Sequence, residues 1–376
     1  MKSIKTTVSI LSLSTVTNVT TIITGVIPQL KQTFPDVPTT MIEWLVTIAN
    51  FSALLTILPN PYLSRKIGVK KVVITGLIIS ALSGVIPAFS NDFILIMCSR
   101  FVLGLGVGLF SPHAISLISH NYQGELRAKL LGYQTGLTAL GNAVLLGLAG
   151  LLVGIWHTVF GLYLILFVTA ILIGLFVPEP EKVSSFSSTK TVRIPWQKWQ
   201  LVILTFITYL LIWGVQLKLP SYFEFKHLGN PQIINLTLSA MNLGGLVAGL
   251  LFGIIHKKIH RFTLTLGYLG AAISVLVLWT TDISIVAIIA AIFFNFVYSF
   301  TGPYLIFTSN QGLESEQINT LSSYLTISTI ISAFFAPLIW NYLGKFGPQT
   351  LTSNVLLWVT IILFVIAAFS IFPKKS

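Results

Sequence analysis

Residues 93–118 read FILIMCSRFVLGLGVGLFSPHAISLI and contain one charged side chain, Arg100. A helix that crosses the hydrocarbon core of a bilayer needs about 20 predominantly apolar residues, and this stretch exceeds that length. It therefore predicts a membrane-spanning helix that carries a cation within the bilayer. The glycines at positions 104, 106 and 108 are small enough to let a neighbouring backbone approach closely, which favours helix packing as their role.

Apolar stretches of similar length occupy most of the remaining chain. Hydrophobic residues make up 54% of the 376 residues and charged residues only 9%, whereas a soluble globular domain carries roughly 25% charged residues. We expect an all-α polytopic membrane protein with twelve transmembrane helices. The other eleven predicted spans cover residues 9–30, 41–62, 72–90, 129–154, 160–177, 201–220, 233–255, 262–280, 283–309, 318–343 and 351–371.

The composition also excludes several classes of function. The single cysteine, Cys98, allows no intrachain disulfide and no cysteine cluster for a metal ion. The sequence contains no phosphate-binding loop, zinc spacing or dinucleotide fingerprint. It also lacks paired acid and base groups, so we expect neither an enzyme nor a cofactor or metal site. The net charge of +12 is divided among short clusters between apolar runs, which argues against nucleic-acid binding.

The positions of the basic residues predict the orientation in the membrane. If the N-terminus lies inside, 17 of the 22 lysines and arginines fall on the inner side, and only Lys31, Lys218, Lys226 and Lys345 fall on the outer side. An excess of cations is typical of cytoplasmic loops. We therefore expect a multi-pass protein of the cell membrane with both termini in the cytoplasm.

The sequence divides into two halves of six predicted spans each. A polar, Ser/Thr-rich stretch opens with EPEK at residues 179–182 and closes with IPW at residues 194–196. It predicts one bundle at residues 1–178, a cytoplasmic linker at 179–198 and a second bundle at 199–376. The basic loop at residues 65–71 has a counterpart at 257–261, in the same place of the second half. Such internal symmetry is typical of transporters, although any inner loop tends to be basic.

The loop after the second predicted span reads PYLSRKIGVKK at residues 61–71. It resembles the signature loop of the major facilitator superfamily, a glycine-led run with an acid, a basic residue, a glycine and paired basic residues. Lys66, Gly68, Lys70 and Lys71 match this pattern. The sequence departs from it at the leading glycine, which is a proline here, and at the aspartate, which is Arg65. In the family that aspartate helps to latch the two halves on the cytoplasmic side.

Three further segments are similar to motifs of the same family. They are RFVLGLGVG at residues 100–108, GELRAKLLG at 124–132 and the glycines of the fifth span, which loosely match the motif of drug exporters with Asn142 in place of its proline. The resemblance implies two six-helix bundles that rock about a central site. In the family, helices one, four, seven and ten line that site. Transport by alternating access is then driven by an ion gradient or by the gradient of the solute.

Three ionisable residues within or near the predicted spans are candidates for substrate binding or coupling. Arg100 cannot deprotonate, so it would pair with an anion or tune a neighbouring acid, or else extend towards the lipid headgroups. His113 could titrate near neutral pH, or could be a neutral histidine bonded to a neighbour. Glu43 is the one carboxylate close to a predicted membrane segment, unless it is a solvated residue at a helix end.

Polar side chains also recur at helical spacing in three predicted spans. The first span aligns Ser14, Asn18, Thr21 and Gly25; the seventh aligns Thr205, Tyr209, Trp213 and Gln216; and the tenth aligns Asn295, Ser299 and Gly302, with Tyr298 adjacent. Polar groups inside a membrane face protein or water rather than lipid. The stripes therefore predict a cavity lined by amides, hydroxyls and aromatic rings, or hydrogen bonds between helices.

These observations predict a secondary active transporter that moves a small organic solute by alternating access. Export of drug-like amphipathic compounds is the function that we expect first. Uptake or exchange of a sugar or another polar or anionic metabolite is the alternative, and a non-transporting receptor or an intramembrane enzyme is the alternative from another class. The expected partners are the solute, protons as the candidate coupling ion and the lipid bilayer, with the protein acting as a monomer.

Overall fold

A computed structural model describes residues 4–179 and 194–371, and all regular secondary structure in these two ranges is helical. Within them, eleven helices are long and apolar enough to cross a membrane, and a bent pair of helices gives a twelfth candidate span when its two parts are taken together. The prediction of an all-α polytopic membrane protein is confirmed. Most of the predicted linker, residues 180–193, lies outside the described residues.

We number the spans α1 to α12 in chain order. The first six are α1 (Ile4–Thr15 and Val19–Thr33), α2 (Thr39–Ile57), α3 (Val69–Phe89), α4 (Phe93–Asn121), α5 (Gly124–Leu152) and α6 (Trp156–Phe176). The last six are α7 (Trp196–Phe225), α8 (Pro231–Ile259), α9 (Phe262–Thr280), α10 (Ser284–Asn310), α11 (Ser315–Leu343) and α12 (Leu351–Ile371). A short helix, Asn60–Ile67, lies between α2 and α3.

Backbone contacts divide the chain into two compact units, Met1–Ser188 and Thr189–Ser376. In the first unit, α4 packs against both α2 and α3, and α1 packs against α5. In the second unit, α9 packs against α10 and α12, while α7 packs against α11 and α12. The domain boundaries expected at residues 179 and 198 remain a prediction.

The glycines of α4 lie where this helix touches its two neighbours. A Cβ atom at Gly104 or Gly108 would meet the backbone of α2, at Ala49 and Ala53 respectively. A Cβ atom at Gly106 would meet the backbone carbonyl of Gly76 in α3. The packing role predicted for these glycines is therefore the role that the structure gives them.

The first span is not one regular helix. Val19–Val26 forms a 3₁₀ helix, and the two parts of α1 meet at 41°. A 3₁₀ helix has three residues per turn instead of 3.6, so the polar residues that align on a regular α-helix no longer share a face. Ser14 is buried whereas Asn18 is exposed. The predicted polar stripe therefore does not run along one regular helix in this span.

The seventh span continues beyond its predicted end at Pro220. In α7, Pro220 lies inside the helix, which ends at Phe225. Proline has no N–H group, so the helix lacks the hydrogen bond that would join residue 220 to the carbonyl oxygen of Gln216. Membrane helices tolerate this loss because neighbouring groups or local adjustments satisfy the carbonyl.

Candidate functional site

The second unit contains a cavity of about 200 Å³ between α7, α10 and α11. Its lining combines hydroxyl groups with aliphatic side chains, and no charged side chain of the described residues contributes to it. Such a lining donates and accepts hydrogen bonds while it also contacts apolar surface. The cavity is lined by Thr205, Tyr209, Gly302, Leu305, Ile306, Ser322, Leu325, Thr326 and Thr329.

Tyr209 is the member of the predicted α7 stripe that brings an aromatic ring to this cavity. It is half-buried, and a Cβ atom at Gly302 would lie 3.4 Å from its hydroxyl oxygen. Gly302 thus leaves room on the α10 side of the phenol. Trp213 and Gln216, one and two turns further along α7, are also half-buried but do not line the described cavity.

The predicted residues of α10 lie inside the second unit. The side-chain amide of Asn295 donates a hydrogen bond to the carbonyl oxygen of Met241 in α8, at 2.6 Å. The hydroxyl of Tyr298 donates to the carbonyl oxygen of Thr208 in α7, at 2.5 Å. Neither residue lines the cavity, so the structure places both in hydrogen bonds between helices.

In the first unit, polar groups join α1 to α5. The hydroxyl of Thr21 donates to the side-chain oxygen of Asn142 at 2.9 Å. Asn18 lies at the break of α1 and is exposed, and its side chain does not cap the 3₁₀ helix that follows. The same hydroxyl of Thr21 also lies 2.9 Å from the backbone carbonyl oxygen of Asn18, so Thr21 contacts both Asn18 and a residue of the loosely matched exporter motif.

Arg100 is fully buried in the first unit, where it connects four helices. From α4, its Nε donates to the carbonyl oxygen of Leu45 in α2 at 2.7 Å, and one terminal nitrogen donates to that of Thr20 in α1 at 2.6 Å. The other terminal nitrogen donates to the hydroxyl of Tyr163 in α6. The alternative in which Arg100 extends towards the lipid headgroups requires an exposed guanidinium. Arg100 has an exposure of 0% and does not reach the surface of this unit.

Glu43 lies in the first turns of α2 and is fully buried. One of its carboxylate oxygens is 4.0 Å from the ammonium nitrogen of Lys31, at the end of α1. A buried carboxylate with a cation beside it is not the solvated residue of the alternative interpretation. The pair brings together a predicted coupling acid and a lysine that the sequence places on the outer side.

His113 lies after a turn in α4 and is held by side chains. The amide nitrogen of Asn60 donates to the carbonyl oxygen of Gly108 at 2.9 Å, so the Asn60 side-chain oxygen is an acceptor. This oxygen lies 2.8 Å from Nε2 of His113, and Nε2 must therefore carry the proton. On the other side of the ring, Nδ1 lies 2.9 Å from the hydroxyl of Ser116.

The signature loop contains an acid that comes from another part of the chain. Gly68 has a φ of +96°, and a Cβ atom there would contact the carboxylate of Glu179. The backbone N–H of Lys70 donates to the same carboxylate at 3.2 Å. Glu179, which the sequence places in the linker, thus brings a negative charge to a loop whose own acid position is occupied by Arg65.

Lys218 is the functional candidate that the sequence analysis missed. It was expected among the outer cations, but it lies inside α7 with an exposure of 0%. Its ammonium nitrogen donates to the side-chain oxygen of Asn341 in α11 at 2.6 Å. Its position within the predicted span 201–220 indicates a lysine inside the membrane, although the count of inner and outer cations places it in a loop.

Lys226, by contrast, lies just beyond the end of α7, in the loop where the sequence places it. Its ammonium group donates to the carboxylate of Asp282 at 2.8 Å. Burial lowers the pKa of Lys226, but hydrogen bonds to Asp282 and Tyr222 outweigh that effect and leave the pKa above its ordinary value. Because Asp282 is 83% exposed, this ion pair contributes little to stability.

Residues 8–337 match the family model described as Major Facilitator Superfamily. The chain belongs to this family of secondary transporters, whose members are normally non-enzymatic. The predicted family and transporter class are confirmed.

The relatives of this chain differ in the compounds that their names indicate. The chain is 24% identical over 287 residues to the quinolone resistance protein NorA of Staphylococcus aureus. This alignment covers 73% of this chain and 70% of NorA. It is 27% identical over 150 residues to the multidrug transporter mfsC of Aspergillus fumigatus, over 38% of this chain but only 28% of that protein's length. The crystal structure of a D-xylose-proton symporter has the same fold, with a TM-score of 0.75, 16% identity, and coverage of 97% of this chain and 96% of the symporter.

Proposed function

We propose that this transporter exports neutral or amphipathic organic compounds from the cell. The observation that supports the proposal is the cavity of the second unit, where hydroxyls and aliphatic side chains surround a space without a charged side chain among the described residues. A lining of this kind suits a ligand that combines apolar surface with a few hydrogen-bonding groups. The similarity to a quinolone resistance protein and a multidrug transporter supports the same substrate class.

Uptake of a sugar is the second candidate. Five hydroxyl-bearing side chains line the cavity, namely Thr205, Tyr209, Ser322, Thr326 and Thr329. They could bond the hydroxyls of a sugar, and the fold is shared with a D-xylose-proton symporter. The aliphatic residues in the same lining favour the amphipathic compound.

Transport by the purified full chain in proteoliposomes distinguishes the two candidates. We expect a fluorescent quinolone to accumulate in response to an imposed pH gradient, and labelled xylose not to do so. Accumulation of xylose instead would overturn the export proposal in favour of the sugar. Binding of the quinolone without any movement across the membrane would indicate the receptor alternative.

Replacement of Tyr209 tests whether the cavity belongs to the substrate site. We expect Tyr209→Ala to raise the KM for the quinolone about tenfold, because it removes an aromatic contact of order 1 kcal/mol together with a hydrogen bond. Tyr209→Phe should keep most of the affinity for an apolar ligand. Both variants should insert into the membrane like the wild type.

Trp213→Ala is the matched substitution on the same face of α7, one turn from the described cavity. A comparable rise in KM would show that the substrate site continues along α7, as the sequence stripe predicts. If KM is unchanged in Tyr209→Ala, the cavity is not part of the substrate site.

The orientation can be tested with epitopes in two exposed loops. We expect an epitope inserted after Gly229 to be labelled on intact cells, and one inserted after Gly312 only after permeabilisation. The loop at Gly312 is the stricter test of the orientation, because it contains Glu314 and Glu316 but no basic residue that would favour the inner side. Three spans separate the two positions, so labelling of both from one side would contradict the topology. Exchanged accessibilities would reverse the orientation.

A further inference from the structure

Lys218 is an ionisable group enclosed by the second unit, at a level where its helix still lies within the predicted span. Its side chain has no exposed surface, and its ammonium nitrogen is 2.6 Å from the side-chain oxygen of Asn341. A charge within a bilayer costs at least a few kcal/mol, so ionisable residues in spans are rarely retained without a function. Neither the cavity nor the family assignment gives this lysine a role.

We propose that Lys218 is the proton-binding residue that couples transport to the proton gradient. The inference rests on the proposed function, since coupling requires a solute that moves against its gradient. Arg100, the other buried cation, cannot fulfil this task because a guanidinium does not deprotonate in proteins. A lysine in a desolvated site can give up its proton and take it back.

Asn341 suits both protonation states of this lysine. Its side-chain nitrogen donates to the carbonyl oxygen of Pro337 at 2.8 Å, which fixes the side-chain oxygen as the atom that faces Lys218. That oxygen accepts a hydrogen bond from the ammonium ion, and it can equally accept one from the neutral amine, which still carries two N–H groups. Loss of the proton therefore leaves this hydrogen bond in place while the buried charge is removed.

The other charged groups of the second unit lie towards helix ends. On α7 itself, Glu224 is exposed and Lys226 is bonded to Asp282. Glu314 and Glu316 lie at the start of α11, and Glu314 is about 40 Å along that helix from Asn341. The sequence has no Asp, Glu, Lys, Arg or His at residues 320–343 of α11 or in α12, the two helices that pack against α7 here.

The remaining titratable groups on elements packed against α7 are distant from this end, already bonded or exposed, and the exposed ones nearest to Asn341 are Tyr342 on α11 and Lys345 just after it. His256, Lys257 and Lys258 occupy the last turn of α8, whose first turn follows the end of α7. Tyr304 lies on the second half of α10 and contacts His256. The hydroxyl of Tyr222 donates to the carbonyl oxygen of Trp279 at 2.8 Å.

We place the access route to Lys218 at the contact between α7 and α11. The indole nitrogen of Trp340 donates to the carbonyl oxygen of Leu210 at 2.7 Å, and the same ring fills the space beside Gly214. Separation of these two helices would admit water to the lysine. Lys218 would then release its proton to water or take one up, and closure of the contact would hold the protonation state that has been set.

The test separates coupling from a purely structural role. In proteoliposomes we expect Lys218→Met to reduce quinolone accumulation under a pH gradient at least about tenfold, while exchange of labelled for unlabelled quinolone stays within about twofold of the wild type. Lys218→Arg should behave in the same way, because arginine keeps its proton. Lys226→Met, at the exposed end of the same helix, is the matched control and should preserve both activities.

Two results would overturn the proposal. One is normal accumulation by Lys218→Met. The other is a parallel loss of accumulation and exchange in Lys218→Met that Lys218→Arg restores, since retention of charge and hydrogen bonding would then be sufficient.

Failure of the wild type to move the quinolone would refute the proposed function but not the proton site. In that case, thermal unfolding of the purified full chain is measured across acidic to alkaline pH. A proton-binding Lys218 gives the wild type a pH dependence that Lys218→Met lacks. Parallel curves for the two proteins would exclude it.

Discussion

Arg100→Leu is expected to abolish transport and to lower the thermal stability of the protein more than any other single side-chain truncation in the first unit. Three buried acceptors, the carbonyl oxygens of Thr20 and Leu45 and the hydroxyl of Tyr163, lose their donor. A hydrogen bond to a charged group contributes about 1.5–3 kcal/mol. Because these acceptors lie on three helices, the loss should loosen α1, α2 and α6 together.

Two conservative variants distinguish this structural role from substrate binding. Arg100→Lys keeps the charge but not the fork of donors, so it should retain part of the stability and part of the transport rate. Arg100→Gln should lose most of both. The measurements are the unfolding temperature in detergent and the initial transport rate per inserted molecule. Arg65→Gln, at an exposed arginine, is the control and should leave the unfolding temperature unchanged.

The alternatives for Arg100 give different results. An arginine that binds an anionic solute would leave a Gln variant that is as stable as the wild type but that no longer transports. Equal transport rates for the wild type, the Lys variant and the Gln variant would show that this side chain has no role in transport.

Gly104→Ala is expected to have the second largest effect, through the packing of α2 against α4. The new methyl group would overlap the carbonyl oxygen of Ala49 and the hydroxyl of Ser52. The carbonyl belongs to the backbone and cannot rotate away, so the two helices must separate. Overpacking of this kind costs about 1–3 kcal/mol, and Gly104→Leu should prevent folding altogether.

Gly132→Ala is the matched control for this prediction. Gly132 also lies inside a helix of the first unit, α5, but nothing lies within 4 Å of the position that its Cβ atom would take. It should therefore unfold at the temperature of the wild type or slightly above it, because alanine favours helix. Equal unfolding temperatures for Gly104→Ala and Gly132→Ala would show that α2 and α4 are not held at this distance.

Hydropathy and charge predict the spans of this protein well because they report directly on the cost of placing each segment in a bilayer. The close packing at Gly104 is also predictable, since small residues at helical spacing are useful only where another backbone approaches. The sequence of one span does not reveal how the neighbouring helices are rotated about their own axes. The partners of Arg100 on α1, α2 and α6 therefore could not be read from α4 alone.

Other differences arise where local structure departs from a regular α-helix. The polar stripe of α1 assumes 3.6 residues per turn, which the 3₁₀ segment does not follow. Pro220 suggests a helix end but lies inside α7. Lys218 is consequently enclosed by protein, although its place in the sequence is typical of a lysine at a membrane surface. Glu179 reaches the signature loop from a segment that composition identifies only as a linker.

The 3₁₀ segment of α1 also has a length that differs from that of an α-helix. A 3₁₀ helix rises about 2.0 Å per residue and an α-helix about 1.5 Å, so the eight residues Val19–Val26 extend about 4 Å further than the same residues in α geometry. Rewinding them would retract the end of the span by that distance and turn it by about 160°. Lys31, which lies beyond this segment and 4.0 Å from Glu43, would be drawn away from the carboxylate. A local change of pitch in α1 would thus be sufficient to break an ion pair at the far end of the span.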